Sequence, residues 1–185
     1  KVYSIHEPHV ACIVKGKAKT KTPYEFGSKV SIATSNRGNW VLGMTNFGGN
    51  PYDGSTLKKA VSDVESVTGL PVETVFADKG YRGCSHWPEG VQVLISGRKK
   101  LLPRLKKMLK RRQAIEPVIG HCKQEHRLGR NFLKGVAGDV FNALMAGVGF
   151  NLKKILRALR LLFVFCMATL WRPWPSPVAS SRVAL

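Results

Sequence analysis

The chain has 185 residues, 44% of them hydrophobic, which is enough for one domain of ordinary size around a hydrophobic core. Thirty Lys and Arg against 11 Asp and Glu leave a formal charge of +19, so the expected partner is a polyanion, with nucleic acid as the leading candidate. The four Cys are scattered without a CxxC pair, which excludes a small disulfide-stabilised scaffold and favours a reducing cytoplasm.

The first half of the chain predicts a lead-in, a hairpin and a helix. Residues 1–22 mix short apolar runs with lysines and predict a basic, irregular lead-in whose strand content is open. Next, the alternating stretch YEFGSKVSIAT, a turn cluster at residues 35–39 and the stretch WVLGMTNF predict an antiparallel hairpin. After GGNPYDG, Ser55 is predicted to cap a helix that runs to Thr68 and is closed by Gly69. The apolar positions of this helix are Leu57, Ala60, Val61, Val64 and Val67.

The middle of the chain is predicted to be mixed α/β. Residues 72–77 predict a short strand that ends at Asp78. The run VQVLI, at residues 91–95, should lie beside that strand, with a helix between the two. Beyond these strands the chain becomes basic and helical, and a final helix is predicted over about residues 140–170.

The apolar run LLFVFCMATLW, at residues 161–171, raises the question of a membrane segment. A helix needs about 20 apolar residues to span a bilayer, and this run has only 11. We therefore expect a helix end that packs internally or against a partner, and no membrane span. The remaining tail is rich in Pro and Ser and has too few apolar residues to predict a fold.

Asp78, at a strand end, and Glu116, inside a basic segment, are the candidate catalytic carboxylates. A carboxylate placed among cations is costly unless it pairs with them or holds a metal. Two-metal phosphoryl transfer needs several carboxylates that converge on ions about 3.5 to 4 Å apart. Asp78 and Glu116 alone would therefore form an incomplete site.

Arg112, Glu116 and Lys123 have a spacing that places them within about 40° of one another on an α-helix. One helix face would then present a carboxylate flanked by two cations, which suits scissile DNA. An ordinary exposed Arg–Glu pair fits the same spacing. Pro117 implies that the helix either begins near Glu116 or kinks there.

These residues also carry a resemblance to a known family. Arg112, Glu116 and Lys123 fall in register with the Y-x2-R-x3-E-x6-K signature of bacterial insertion-sequence transposases of the DDE class. The surrounding IEPVIGHCKQEHR and RNFLKG resemble the insertion-sequence-five group, and FADKGYRG resembles its second catalytic aspartate motif. KGKAKTKTPYEFGSKVSIAT and NFGGNPYDG resemble its upstream sequence, so the resemblance covers roughly residues 2–161. The tyrosine of the signature is replaced by Leu109.

The resemblance implies an α/β fold with a ribonuclease-H-like core, followed by C-terminal helices. It implies that Asp78 and Glu116 are catalytic and hold Mg²⁺ or Mn²⁺, and that Arg112 and Lys123 bind DNA. Further candidate DNA contacts are the cations Lys79, Arg82 and Arg127.

The predicted organisation has three parts. Residues 1–22 form the lead-in, and residues 23–160 form the C-terminal part of the transposase catalytic domain. Residues 161–185 form an apolar helix end and a Pro- and Ser-rich tail.

The family's first catalytic aspartate belongs on an initial strand, whereas no Asp precedes Asp53 in this chain. We therefore expect that strand upstream of Lys1. The intact enzyme would cut insertion-sequence ends and join them to target DNA, while this fragment would be inactive alone. Double-stranded DNA is the expected partner, and a homodimer is left open. The alternatives are a non-catalytic DNA-binding remnant and a basic RNA- or ribosome-associated structural protein.

Overall fold

The computed structural model describes residues 1–14, 24–82, 87–98 and 100–171, which form a mixed α/β protein with small sheets and a long C-terminal helix. The lysine-rich loop and the Pro- and Ser-rich tail of the sequence prediction lie outside the described residues. The strands are β1 (Ala11–Val14), β2 (Tyr24–Gly27), β3 (Lys29–Thr34), β4 (Val41–Phe47), β5 (Thr74–Ala77) and β6 (Gln92–Ile95). The helices are α1 (Asp53–Thr68), α2 (Pro103–Arg111), α3 (Ile115–Glu125) and α4 (Gly135–Leu170), with 3-10 turns at Lys79–Tyr81 and Arg112–Ala114.

Two antiparallel strand pairs form the first part of the chain. β3 pairs with β4 from Lys29 opposite Phe47 to Thr34 opposite Val41, so the predicted hairpin is confirmed for this part of the alternating stretch. The first part of the same stretch, Tyr24–Gly27, instead forms the separate strand β2. β1 pairs with β2 and lies inside the segment predicted to be an irregular lead-in. Its strand character comes from this pairing rather than from a clear alternation in its own sequence.

Helix α1 begins at Asp53, three residues before the start implied by the predicted cap at Ser55. Tyr52 is the N-cap, and the Ser55 hydroxyl donates a hydrogen bond to the Tyr52 carbonyl at 2.7 Å instead of capping the helix itself. Gly69 closes the helix as predicted, with the left-handed φ of 66° that a residue without Cβ adopts easily. Of the apolar positions of this helix, Val67 is 76% exposed. The other predicted apolar positions, Leu57, Ala60, Val61 and Val64, are buried.

β5 and β6 form a parallel pair with Ala77 opposite Ile95, which confirms that the two predicted strands are neighbours. The described residues between them contain a 3-10 turn at Lys79–Tyr81 rather than the predicted helix. Apolar side chains from α1 pack against this pair. The buried members of this core are Leu57, Val61, Ala77 and Val93.

A second core lies between β4, α3 and the first part of α4. Its buried residues are Val41, Met44, Val118, Cys122, Ala143 and Ala146. α4 begins at Gly135, about one turn before the predicted start. A Cβ at Gly147 would lie 2.8 Å from Met44 Cγ, so a glycine at this position lets α4 approach β4 closely. This packing fixes α3, which carries Glu116, against the β3–β4 hairpin.

The chain divides into two compact units, Lys1–Asn151 and Leu152–Leu185, and the division falls inside α4. The described part of the second unit is the helix from Leu152 to Leu170 and Trp171. No helix in the described part of the chain is long and apolar enough to cross a membrane. The strands and helices given above show the α/β class. The ribonuclease-H-like core stays a prediction.

Candidate functional site

Asp78 lies at the carboxyl end of β5, directly after the buried Ala77. Its Oδ1 accepts a hydrogen bond from the backbone N–H of Lys79 at 2.7 Å and another from the Ser96 hydroxyl at 3.0 Å. Because β5 and β6 are parallel, with Ala77 opposite Ile95, both strand ends meet at one edge. This edge holds the carboxylate between fixed donors while 60% of its side chain stays exposed.

The pKa of Asp78 lies below its ordinary value. The main cause is the backbone N–H of Lys79, which donates to the ionised carboxylate. Partial burial opposes this effect, and the Ser96 hydroxyl and the positive charges of Arg112 and Lys79 reinforce it. The site therefore favours the ionised form of Asp78, which is the form that binds a cation.

Replacing Ser96 with Ala should raise the pKa of Asp78, because the ionised carboxylate loses one donor. The folded-state pKa is lower than the unfolded value, so ionised Asp78 stabilises the fold at higher pH, and this contribution is lost as pH falls through the folded pKa. In the variant this contribution is smaller, and its loss is complete at a higher pH, because the folded-state pKa lies closer to the unfolded value. NMR titration of the Asp78 carboxyl carbon measures the shift, with Ser62→Ala on the exposed face of α1 as the control. Equal titration curves for the two variants would contradict the role of Ser96.

Arg112 does not share an α-helix with Glu116 and Lys123, so the predicted single helix face is wrong in this respect. α2 ends before Arg112, which opens a 3-10 turn, and α3 begins at Ile115. Pro117 lies in the first turn of α3, where its missing N–H removes no helical hydrogen bond. Of the two predicted options, the helix therefore begins near Glu116.

One cleft nevertheless brings the predicted residues together. Asp78, Arg112, Glu116 and Lys123 all line it, and its volume is about 1070 Å³. A guanidinium nitrogen of Arg112 lies 3.6 Å from Oδ1 of Asp78, and the ammonium of Lys123 lies 3.7 Å from Oε2 of Glu25. The buried Nε of Arg112 makes no hydrogen bond within the described part of the chain.

Two strand edges also open onto this cleft. In the residues that the structure describes, β3 pairs only with β4 and β5 only with β6, and residues of both β3 and β5 line the cleft. An unpaired edge presents backbone N–H and C=O groups that another strand can bind. Apolar side chains in the lining include Val30, Ile32, Leu57, Val61, Val75 and Ile119. The cleft can therefore accept an extended apolar segment.

The three remaining predicted DNA contacts lie in two places. The side chains of Lys79 and Arg82 come within 3.5 and 3.4 Å of where a Cβ on Gly97 would lie, just beyond the end of β6. Arg127 instead places its guanidinium 5.3 Å from the ring centroid of Phe132. Lys79 and Arg82 are thus close to the strand end that carries Asp78, but like Arg127 they are not among the described residues that line the cleft.

Sequence reasoning missed the contacts that hold α2 beside the cleft. The Asn36 amide donates to the Met108 carbonyl at 3.0 Å, and Arg111 Nε donates to the Asn36 carbonyl at 3.0 Å. No local pattern connects residues this far apart in the chain. Ser96, in contrast, could have been inferred, because it directly follows the strand that was predicted to lie beside the strand before Asp78.

The candidate carboxylates fit a hard divalent cation in their chemistry, since Mg²⁺ and Mn²⁺ prefer oxygen donors. Asp78 and Glu116 are both exposed and both line the cleft. Within the described residues there is no group of three or more His, Cys, Asp or Glu side chains that could hold a metal ion. Asp78 and Glu116 would supply two of the oxygen donors that such an ion binds.

Comparisons of this chain with protein-family models, with curated proteins and with solved structures find no match.

Proposed function

We propose that this chain is part of the catalytic domain of a DDE-type DNA transposase of the insertion-sequence-five group, with a ribonuclease-H-like core. The enzyme would cut the ends of its element with Mg²⁺ or Mn²⁺ and join them to target DNA. The observation that carries the proposal is the shared cleft, in which Arg112 lies 3.6 Å from Asp78 and which Glu116 and Lys123 also line. Residues from two separate sequence motifs thus meet at one place.

The charge beside the cleft supports a nucleic-acid substrate. α2 leads directly into Arg112, and the contacts of Asn36 hold it against the β3–β4 hairpin. Its exposed cations are Arg104, Lys106, Lys107, Lys110 and Arg111. A row of cations on one rigid helix can contact successive phosphates of a duplex without reading its sequence. Such contacts would hold DNA next to the carboxylates.

The open strand edges can pair with a further strand, and a third metal-binding carboxylate would lie on that strand. We place this strand upstream of Lys1, where it would pair with β3, with β5, or with both. The apolar lining of the cleft suits the side chains of a buried strand. Because Asp78 stands at the end of β5, an acidic residue at the adjacent end of the inserted strand would face it.

Each residue of the proposed site has a separate role. Asp78 and Glu116 would hold the metal, which supplies activation of the attacking oxygen and stabilisation of the leaving oxygen. Arg112 and Lys123 would bind phosphates beside the scissile bond. In the structure these two cations lie near the carboxylates of Asp78 and Glu25, and phosphate oxygens would replace those partners.

The test compares this chain with the same chain extended upstream by the remainder of its reading frame. The substrate is labelled duplex DNA that carries the repeats flanking its own coding sequence. We expect the extended chain to cleave this DNA with Mg²⁺ or Mn²⁺ and not with EDTA. This chain alone should bind the duplex without cleaving it, because the proposed site lacks a ligand.

Two outcomes would count against the proposal. If the extended chain binds the duplex but does not cleave it with either metal, the protein is a DNA-binding remnant. If RNA displaces the duplex at equal nucleotide concentration, the substrate class is wrong and an RNA-associated role replaces it.

A further inference from the structure

The helix of the second unit carries an unusual number of exposed apolar side chains. Every residue from 155 to 170 is exposed, and the run from Leu161 to Leu170 contains no charged residue. Phe163 and Phe165, for example, are 63% and 66% exposed. A helix that is apolar over most of its surface is normally covered by another structure. This helix therefore needs a partner.

A regular spacing shows what kind of partner fits. Leu152, Ile155, Leu159 and Leu162, which we call the seam, alternate at steps of three and four residues and are 52%, 43%, 54% and 58% exposed. The same alternation continues in the sequence to Cys166 and Thr169 and, in the first unit, back through Val148, Met145 and Phe141. Such a heptad repeat is the pattern of a helix that packs along another helix.

The charges of this helix lie away from the seam. The heptad positions are lettered a to g, with Leu152 and Leu159 at position a. The four cations then occupy only positions b, c and f, which face outward in a coiled coil. These cations are Lys153, Lys154, Arg157 and Arg160. The e and g positions that flank the seam are uncharged and include Leu156, Ala158, Phe163 and Phe165. A second copy of the same helix would therefore meet no like charge across the contact.

We propose that the seam packs against the seam of other copies of this chain, so that α4 is a self-association helix. The seam and the flanking Leu156, Phe163 and Phe165 expose on the order of 800 Å² per helix, about what each partner contributes to a standard specific interface. Leu at both a positions and Ile155 at one of the two d positions, together with apolar e and g positions, favour three or four helices over two. This inference does not depend on the proposed enzyme activity.

The test measures the mass of the full chain by sedimentation equilibrium after nuclease treatment and at high salt, so that nucleic acid cannot bridge copies. The wild type should sediment as an oligomer. Leu152→Gln with Leu159→Gln should raise the dissociation constant at least about 100-fold, because two buried leucine contacts are lost at each helix. The matched control is Leu161→Gln with Val164→Gln, which changes two exposed apolar residues at c and f on the same helix and should shift the constant only a few-fold.

Circular dichroism of both double variants checks that α4 still forms. A wild-type chain that stays monomeric at high micromolar concentration would overturn the proposal. It would also fail if the two double variants weakened association equally, because the contact would then not be the seam. A monomer that instead co-sediments with vesicles of anionic phospholipid would show that a lipid surface covers the helix.

Discussion

Asp78→Asn or Glu116→Gln is expected to lower metal-dependent DNA cleavage by the upstream-extended chain by roughly 10²- to 10³-fold, the size typical of losing one group that stabilises transition-state charge. Each change replaces a carboxylate with a neutral amide of nearly the same shape. Asp78 Oδ1 would still accept from Lys79 and Ser96, so the strand end should keep its conformation. The loss would therefore report on the metal ligand rather than on folding.

The affinity of these variants for DNA should not fall along with their cleavage rate. Asp78→Asn removes the carboxylate that lies 3.6 Å from Arg112, and either change takes a negative charge out of the cleft, so binding of the duplex should stay equal or become tighter. The matched control is Glu89→Gln, which changes an exposed carboxylate in the turn before β6. The measurement is the single-turnover cleavage rate beside the dissociation constant from gel shift. Full cleavage by Asp78→Asn would remove this residue from the proposed metal site.

The parts of the fold that could be predicted are those set by local pattern. Alternating apolar residues indicated β3 and β4, and a β-branched run ending at Asp78 indicated β5. Gly69 marked the end of α1 because its left-handed conformation favours glycine. Boundaries were less accurate where tertiary packing decides them. α4, for example, starts about a turn earlier than its apolar pattern suggests.

The candidate site also has a part that the sequence indicates and a part that depends on long-range packing. The sequence indicated Asp78 and Glu116 as chemically distinct residues, because acids are costly in a basic segment. It could not show that Arg112 lies beside Asp78, since that contact depends on how α2 and α3 dock against the hairpin. It also gave no sign that the edges of β3 and β5 open onto the same cleft, because strand pairing is a long-range property.

The stability of this site should depend strongly on one buried side chain, Leu94 of β6. It is only 1% exposed and lies opposite Phe76 of β5, two residues before Ser96. Leu94→Ala should lower the free energy of unfolding by about 2 to 5 kcal/mol, since the lost methyl groups leave a cavity. That is a large part of the roughly 5 to 15 kcal/mol that stabilises an ordinary domain.

The measurement for Leu94→Ala is the urea concentration at half-unfolding, compared with Leu70→Ala, which truncates a leucine that is 68% exposed in the loop after α1. The control should change the free energy of unfolding by about 0.5 kcal/mol or less. Because Leu94 lies on β6, which Ser96 directly follows, partial unfolding of β6 would also release the donor that helps to lower the pKa of Asp78. A shift below about 1 kcal/mol for Leu94→Ala would mean that the strand pair tolerates the cavity.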